Sequence, residues 1–175
     1  MERVPQKIFV EYSHILKDDG VFPNSELPVL IYKDVLDFPL FFDAVYITNL
    51  FEKNHWSSSW KGGMYTYHHY HSNTHEVIGV YKGKTTVLLG GEKGVTITVE
   101  KGDVLIIPAG VAHKNMGQEN DVACVGAYPG GIKHDTCTGK PGERPLADTQ
   151  IALVALPDRD PVLGLKGGTE KYWKS

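Results

Sequence analysis

"GMYTYHHYHSNTHEVIGVYKG", residues 63–83, holds four of the chain's eight histidines between two glycines. In an extended chain, residues two apart share a face, so His69 and His71 point the same way, together with Tyr65 and Tyr67, while His68 and Tyr70 point the other way. Two imidazoles side by side on one face are close enough to hold one cation. Glu76 is an odd number of residues beyond His71, and the turn-prone Ser72, Asn73 and Thr74 supply the bend or bulge that returns it to the same face.

A fourth candidate ligand lies downstream. "GDVLIIPAGVAH", residues 102–113, reads as an apolar strand ending in a Pro-Ala-Gly turn, which lays His113 beside the histidine-bearing segment. His69, His71, Glu76 and His113 together offer three imidazoles and a carboxylate, a donor set suited to iron, nickel, copper, zinc or cobalt. His75 is the awkward neighbour, assigned to the pocket lip or to a partner of the ligands. Tyr65 and Tyr67 either line the pocket or pack with satisfied hydroxyls.

The surrounding sequence is punctuated regularly. "MYTYHHYH", "EVIGVY", "TTVLLG", "VTITVE", "DVLIIP" and "DVACVGAY" are short runs rich in Val, Ile, Thr and Tyr, separated by glycine-containing turns, with one such turn at Lys82 and Gly83. That spacing predicts an all-β sandwich or barrel, which hides its strand edges and leaves an interior for a ligand. Before it, Phe41, Ala44, Ile47 and Phe51 lie near helical spacing and predict one helix from Leu40 to Lys53, flanked by the extended "LPVLIY". After Tyr128 the tail reads as mostly loop that wraps the barrel, with "QIALVAL" as one further strand. The expected organisation is a single domain over 1–175, with a core barrel at about 60–128, an N-terminal extension at 1–59 and a wrapping segment at 129–175.

Composition excludes several partners. The 175 residues carry 18 basic and 21 acidic side chains without a basic run, which argues against a nucleic-acid footprint or an anionic-membrane patch. No window approaches the length of a membrane span, and "MERVPQKIFVEYSHILKDDG" lacks an apolar signal region, so a cytoplasmic protein is expected. Cys124 and Cys137 form no CxxC pair and suit a reducing compartment. The expected partner is a small molecule, and Val- and Ile-rich strands leave a homodimer open as a way to cover an edge.

These residues resemble the cupin superfamily. Its first motif is met by Gly63, His69, His71, Glu76 and Gly83, and its second by Gly102, Pro108, Gly110 and His113, nine positions at the family spacing over 51 residues. The second motif usually ends in Asn, where this chain has Gly117 and carries Asn115 nearby. The whole chain is also similar to the YjlB-like cupins through "LKDDGVFPNSELPVLIY", "THEVIGVYKG", "IPAGVAHKN", "GAYPGG" and "KPGERP". The resemblance implies a double-stranded β-helix (jelly roll) binding one divalent transition metal ion, Fe, Mn, Ni, Zn, Co or Cu, through His69, His71, Glu76 and His113.

Four protein ligands leave positions on an octahedral ion for water, substrate or O₂. The leading expectation is therefore a metal-dependent enzyme of dioxygenase or isomerase type whose substrate chelates the ion, with no catalytic residue assigned. The rival is a metabolite-binding or sensor cupin using the same site without turnover. A weaker third reading is a barrel in which the metal is structural. His14, His55, His68 and His134 are read as solvated or structural, Asp135 as a turn residue, and Glu143 with Arg144 as an exposed turn.

Overall fold

In a computed structural model that describes residues 10–173, every strand pairing is antiparallel. Strands β1 (Val10–Leu16) and β2 (Ser25–Tyr32) precede helix α1 (Asp43–Lys53) and strand β3 (Trp56–Gly62). After a passage over 63–75 come β4 (Glu76–Leu89), β5 (Val95–Glu100), β6 (Val104–Ile107), β7 (His113–Asn115) and β8 (Val122–Pro129), then α2 (Leu146–Leu153) and α3 (Gly168–Tyr172). The larger sheet runs β1-β2-β6-β4-β8-β3, and β4 also pairs with β5 and β7.

Strand β4 therefore serves two sheets. Its first half, Glu76 to Gly83, lies between β6 and β8, and its second half, Lys84 to Leu89, between β5 and β7. The chain does not turn at Lys82 and Gly83 as expected; it continues through an irregularity in its pairing with β8 between Val80 and Lys82. Gly83 sits at φ 82, and a Cβ there would lie 2.0 Å from the Asp121 carbonyl oxygen. Just beyond that bulge, the glycine's positive φ and close approach let one long strand pass from one sheet to the other.

Burial on both faces explains why these strands read as continuous apolar runs. Val29, Ile31, Ile78, Val80, Leu105 and Ile107 fill the interior, while their neighbours Leu30, Tyr32, Val77, Val104 and Ile106 face outward beneath α1 and the C-terminal segment. Helix α1 buries Ile47 and Phe51 on that outer face, with Asp43 in its first turn and Lys53 in its last, each sign suited to its end of the helix dipole. Leu40, Phe41 and Phe42 precede the helix and are exposed, so Phe41 is not part of its packed face.

Two further expectations are corrected. "MYTYHHYH" is not a strand: its backbone bonds go to different partners at successive residues, His69 exchanging hydrogen bonds with His113 and Tyr70 with Cys137, so no ladder propagates. "QIALVAL" is not a strand either, since α2 occupies Leu146–Leu153. Four-residue spacing brings Ala147 and Ile151 onto a small cluster with Phe22, Tyr70 and Ala112, and Arg144 pairs with Asp148 one turn on. Beyond it, buried Trp173 donates its indole N–H to the Pro28 carbonyl at 2.8 Å, fastening the tail to β2. No helix among the described residues is long and apolar enough to cross a membrane.

Candidate metal centre

The passage over 63–75 crosses the mouth of the barrel and is held there by backbone bonds. His69 and His113 exchange N–H···O bonds, the Gly110 N–H donates to the His71 carbonyl, and the Asn115 N–H to the Tyr65 carbonyl. The Pro-Ala-Gly turn thus places His113 against His69, with ring centroids 4.1 Å apart. The bend falls at Ser72, whose N–H and hydroxyl both donate to the Asp135 carboxylate, and β4 begins with Glu76 turned inward.

One nitrogen from each of His69, His71 and His113 lies within 4.8 Å of the others. Glu76 closes on two of the three, with Oε1 3.2 Å from His113 Nε2 and Oε2 3.5 Å from His71 Nε2. All four side chains are buried. Each imidazole anchors Nδ1 on a backbone carbonyl, His69 on Tyr67 at 3.1 Å, His71 on Asp135 at 2.5 Å and His113 on Val111 at 3.0 Å. A carbonyl only accepts, so Nδ1 carries the hydrogen and Nε2 of a neutral ring presents a lone pair inward.

In neutral rings those lone pairs face one another and a carboxylate, acceptors confronting acceptors, whereas a proton on His71 Nε2 would pair that ring with Glu76. His71 Nε2 is buried without a hydrogen-bond partner. Burial drives the His69 imidazole down to about 3, helped by His113. Burial also opposes the charge on Glu76, but His71 and His113 outweigh it and hold the carboxyl well below its ordinary range. At His71 burial lowers and Glu76 raises, with the upward pull larger. A divalent ion would satisfy all these lone pairs at once, and three imidazoles with one carboxylate suit a borderline transition metal, so the residues present fit such an ion.

The opposite wall comes from elsewhere in the chain. The cavity, of about 260 Å³, is lined beyond the four groups by Trp60, Met64, Tyr65, Ile78, Tyr128 and His134. Trp60 Nε1–H and the Tyr128 hydroxyl both donate to Glu76 Oε2, at 3.2 and 2.8 Å. Burial and the Glu76 charge push the Tyr128 phenol upward, so it stays a donor. His134 stacks on Tyr128 with centroids 4.5 Å apart and meets His71 edge-on; burial, then His71, lowers its imidazole.

The sequence leaves His134 as a solvated or structural imidazole and marks neither Trp60 nor Tyr128 as part of the site. The alternation of Cys124, Gly126 and Tyr128 along β8 carries a signal for Tyr128, but only once the inner face of that strand is known. Tyr65 does line the cavity, edge-on to His69, whereas Tyr67 stacks on Tyr65 at 5.0 Å and is not among the lining side chains; both are about half exposed. His75 does not reach the cavity. The bend that returns Glu76 sends His75 the other way, where Nδ1 accepts the Ala109 N–H, Nε2 faces the Ala155 carbonyl and the ring lies 4.7 Å from Trp173. Asp135, read as a turn residue, anchors both Ser72 and His71.

The cupin domain family matches residues 57–125. A protein of Bacillus subtilis (strain 168), described as uncharacterized protein YjlB, is 40% identical over 174 residues, 99% of each chain. Among solved structures, an acireductone dioxygenase from Bacillus anthracis with cadmium in its active centre is 13% identical at a TM-score of 0.38, over 52% of this chain and 61% of that one. A dTDP-6-deoxy-D-glucose-3,5-epimerase from Legionella pneumophila Philadelphia 1 is 13% identical at 0.38, over 63% and 71%. The coconut allergen cocosin is 18% identical at 0.36 over 45% of this chain, which spans 21% of the cocosin chain. At those TM-scores the structural likenesses carry no argument about chemistry.

Proposed function

The chain belongs to the YjlB-like cupins, and from that premise we propose that it is a metal-dependent enzyme in which His69, His71, Glu76 and His113 hold one divalent transition ion, Fe, Mn, Ni, Zn, Co or Cu. The observation that carries the reading is the convergence of three carbonyl-anchored imidazoles and an ionised carboxylate on a common point, with His71 Nε2 buried and unpartnered. When bound, the ion supplies Lewis acidity or O₂ activation to a small molecule that chelates it.

The chain's own residues define what that molecule meets. Trp60, Met64 and Ile78 exclude water from one side of the cavity, and Tyr65 stands at the rim. His134, lowered by burial, offers a neutral imidazole that accepts a hydrogen bond from a substrate hydroxyl or amide. Glu76 is engaged by four neighbours and serves as a ligand rather than as a mobile base. Reaction class is of dioxygenase or isomerase type, in a cytoplasmic setting that keeps Cys124 and Cys137 as free thiols.

The test is elemental analysis of natively purified protein, joined to mass spectrometry of co-purifying small molecules and an assay of the candidates with and without the recovered metal. Stoichiometric metal with turnover supports the reading. Stoichiometric metal with tight retention of an unchanged metabolite favours the sensor reading, and protein devoid of metal after reconstitution defeats both.

A further inference from the structure

Glu76 is supported by a device that lies outside both motifs. Trp60, on β3, is paired in register with Gly126 on β8. A Cβ on Gly126 would lie 2.1 Å from the Trp60 indole, so the missing side chain is what allows the ring to lie across β8. From there Nε1–H reaches Glu76 Oε2 at 3.2 Å. Two residues along the same strand, hence on the same face, Tyr128 donates its hydroxyl to the same oxygen at 2.8 Å.

A carboxylate oxygen has two lone pairs, and both on Oε2 are taken. Oε1 receives neither of these donors and lies 3.2 Å from His113 Nε2, while Oε2 also stands 3.5 Å from His71 Nε2. We propose that Trp60 and Tyr128, with Gly126 making room for the indole, are positioning residues that lock Glu76 so that it offers a metal ion Oε1 alone. The inference rests on the metal-centre reading above. Its chemical consequence is a carboxylate held in one orientation, so that a bound ion would meet a charged but pre-oriented ligand. Neutral N–H and O–H donors orient Glu76 without neutralising it.

The test is a cobalt(II) titration of metal-free protein, with visible absorption reporting the ligand field, on wild type, Trp60→Phe, Tyr128→Phe, Gly126→Ala and the pair Trp60→Phe with Gly126→Ala. The expected result is one equivalent of cobalt in wild type, and affinity lower by about tenfold to a hundredfold in Trp60→Phe and Tyr128→Phe. Band position and intensity are expected to change as Oε2 is freed to turn toward the ion. Gly126→Ala is expected to reproduce Trp60→Phe, and the pair to be no worse than Trp60→Phe alone, because the glycine acts through the indole.

Tyr128→Phe removes one oxygen and keeps the ring against His134, so it decides the matter even where an indole variant misfolds. Unchanged affinity and an unchanged spectrum in Tyr128→Phe overturn the positioning role while leaving the metal centre standing. Absence of cobalt binding by wild type overturns the metal centre and this inference with it.

Discussion

The two walls of the cavity differ in how they are written into the chain. One wall, His69, His71, Glu76 and His113, comes from 51 residues at fixed spacing and is set by local geometry: a bend at Ser72, a strand start at Glu76 and a Pro-Ala-Gly turn. The other wall, Trp60, Tyr128 and His134, comes from β3, β8 and the segment after it, and depends on strand pairing across the whole barrel. Ligand type thus resides on the local wall, and the hold on Glu76 and the shape of the cavity on the distant one.

The largest effect is expected at the local wall. Replacing His71 with Ala removes an imidazole whose Nε2 has no other buried partner, and stoichiometric metal is expected to vanish in elemental analysis. Full occupancy in that variant breaks the four-ligand reading. Trp173→Ala probes the outer packing layer, away from both walls: loss of a fully packed indole costs about 3–5 kcal/mol, seen as a lower Tm, with metal stoichiometry retained. Loss of metal in that variant would show that the C-terminal segment and the ligands act as one unit.

Complete chelation is expected to lower Tm as well. An ion bound only by the folded state stabilises by about 2.7 kcal/mol when free metal is a hundredfold above Kd, and coincident melting curves with and without metal would contradict the centre. The smallest effect belongs to Glu143, whose carboxylate accepts the Thr138 and Gly139 N–H groups and the Tyr70 hydroxyl. Burial raises its carboxyl, but those backbone bonds lower it further, for a net downward shift. Its folded value lies below the unfolded 4.5, so its contribution is complete above that pH and is lost as pH falls through the folded value. The Tm difference between wild type and Glu143→Gln is therefore expected to be full above about pH 4.5 and to shrink as pH falls below it; a constant difference would remove the carboxylate from the account.

Much of the local wall is legible without coordinates, because a ligand pair two residues apart needs only an extended backbone, and a proline-glycine turn announces its own geometry. The ladder implied for "MYTYHHYH" is not: successive residues bond to His113 and Cys137, and a single-strand pattern carries no record of which partner each residue meets. "QIALVAL" fails for a related reason. Its apolar run suits either element, and what selects a helix is the cluster beneath Ala147 and Ile151 together with the Arg144–Asp148 pair. Gly83 reads as a turn from its neighbours but lies within a continuous strand just past a bulge, because β4 has pairing partners on both sides of it.

The sequence by itself determined the β-rich architecture, the membership in the cupins and the identity of the groups that converge, since each follows from residue type and short-range spacing. Tertiary structure decided which histidines stand apart. His75 is turned toward Trp173 by the same bend that brings Glu76 in, while His134 is delivered to the cavity by a segment whose path depends on Asn73 and Asp135. It also decided how Glu76 is held, because a glycine on β8, an indole on β3 and a phenol two residues on meet only when two strands pair in one register. Periodicity fixes the face of a side chain; contact across a cavity requires the rest of the fold.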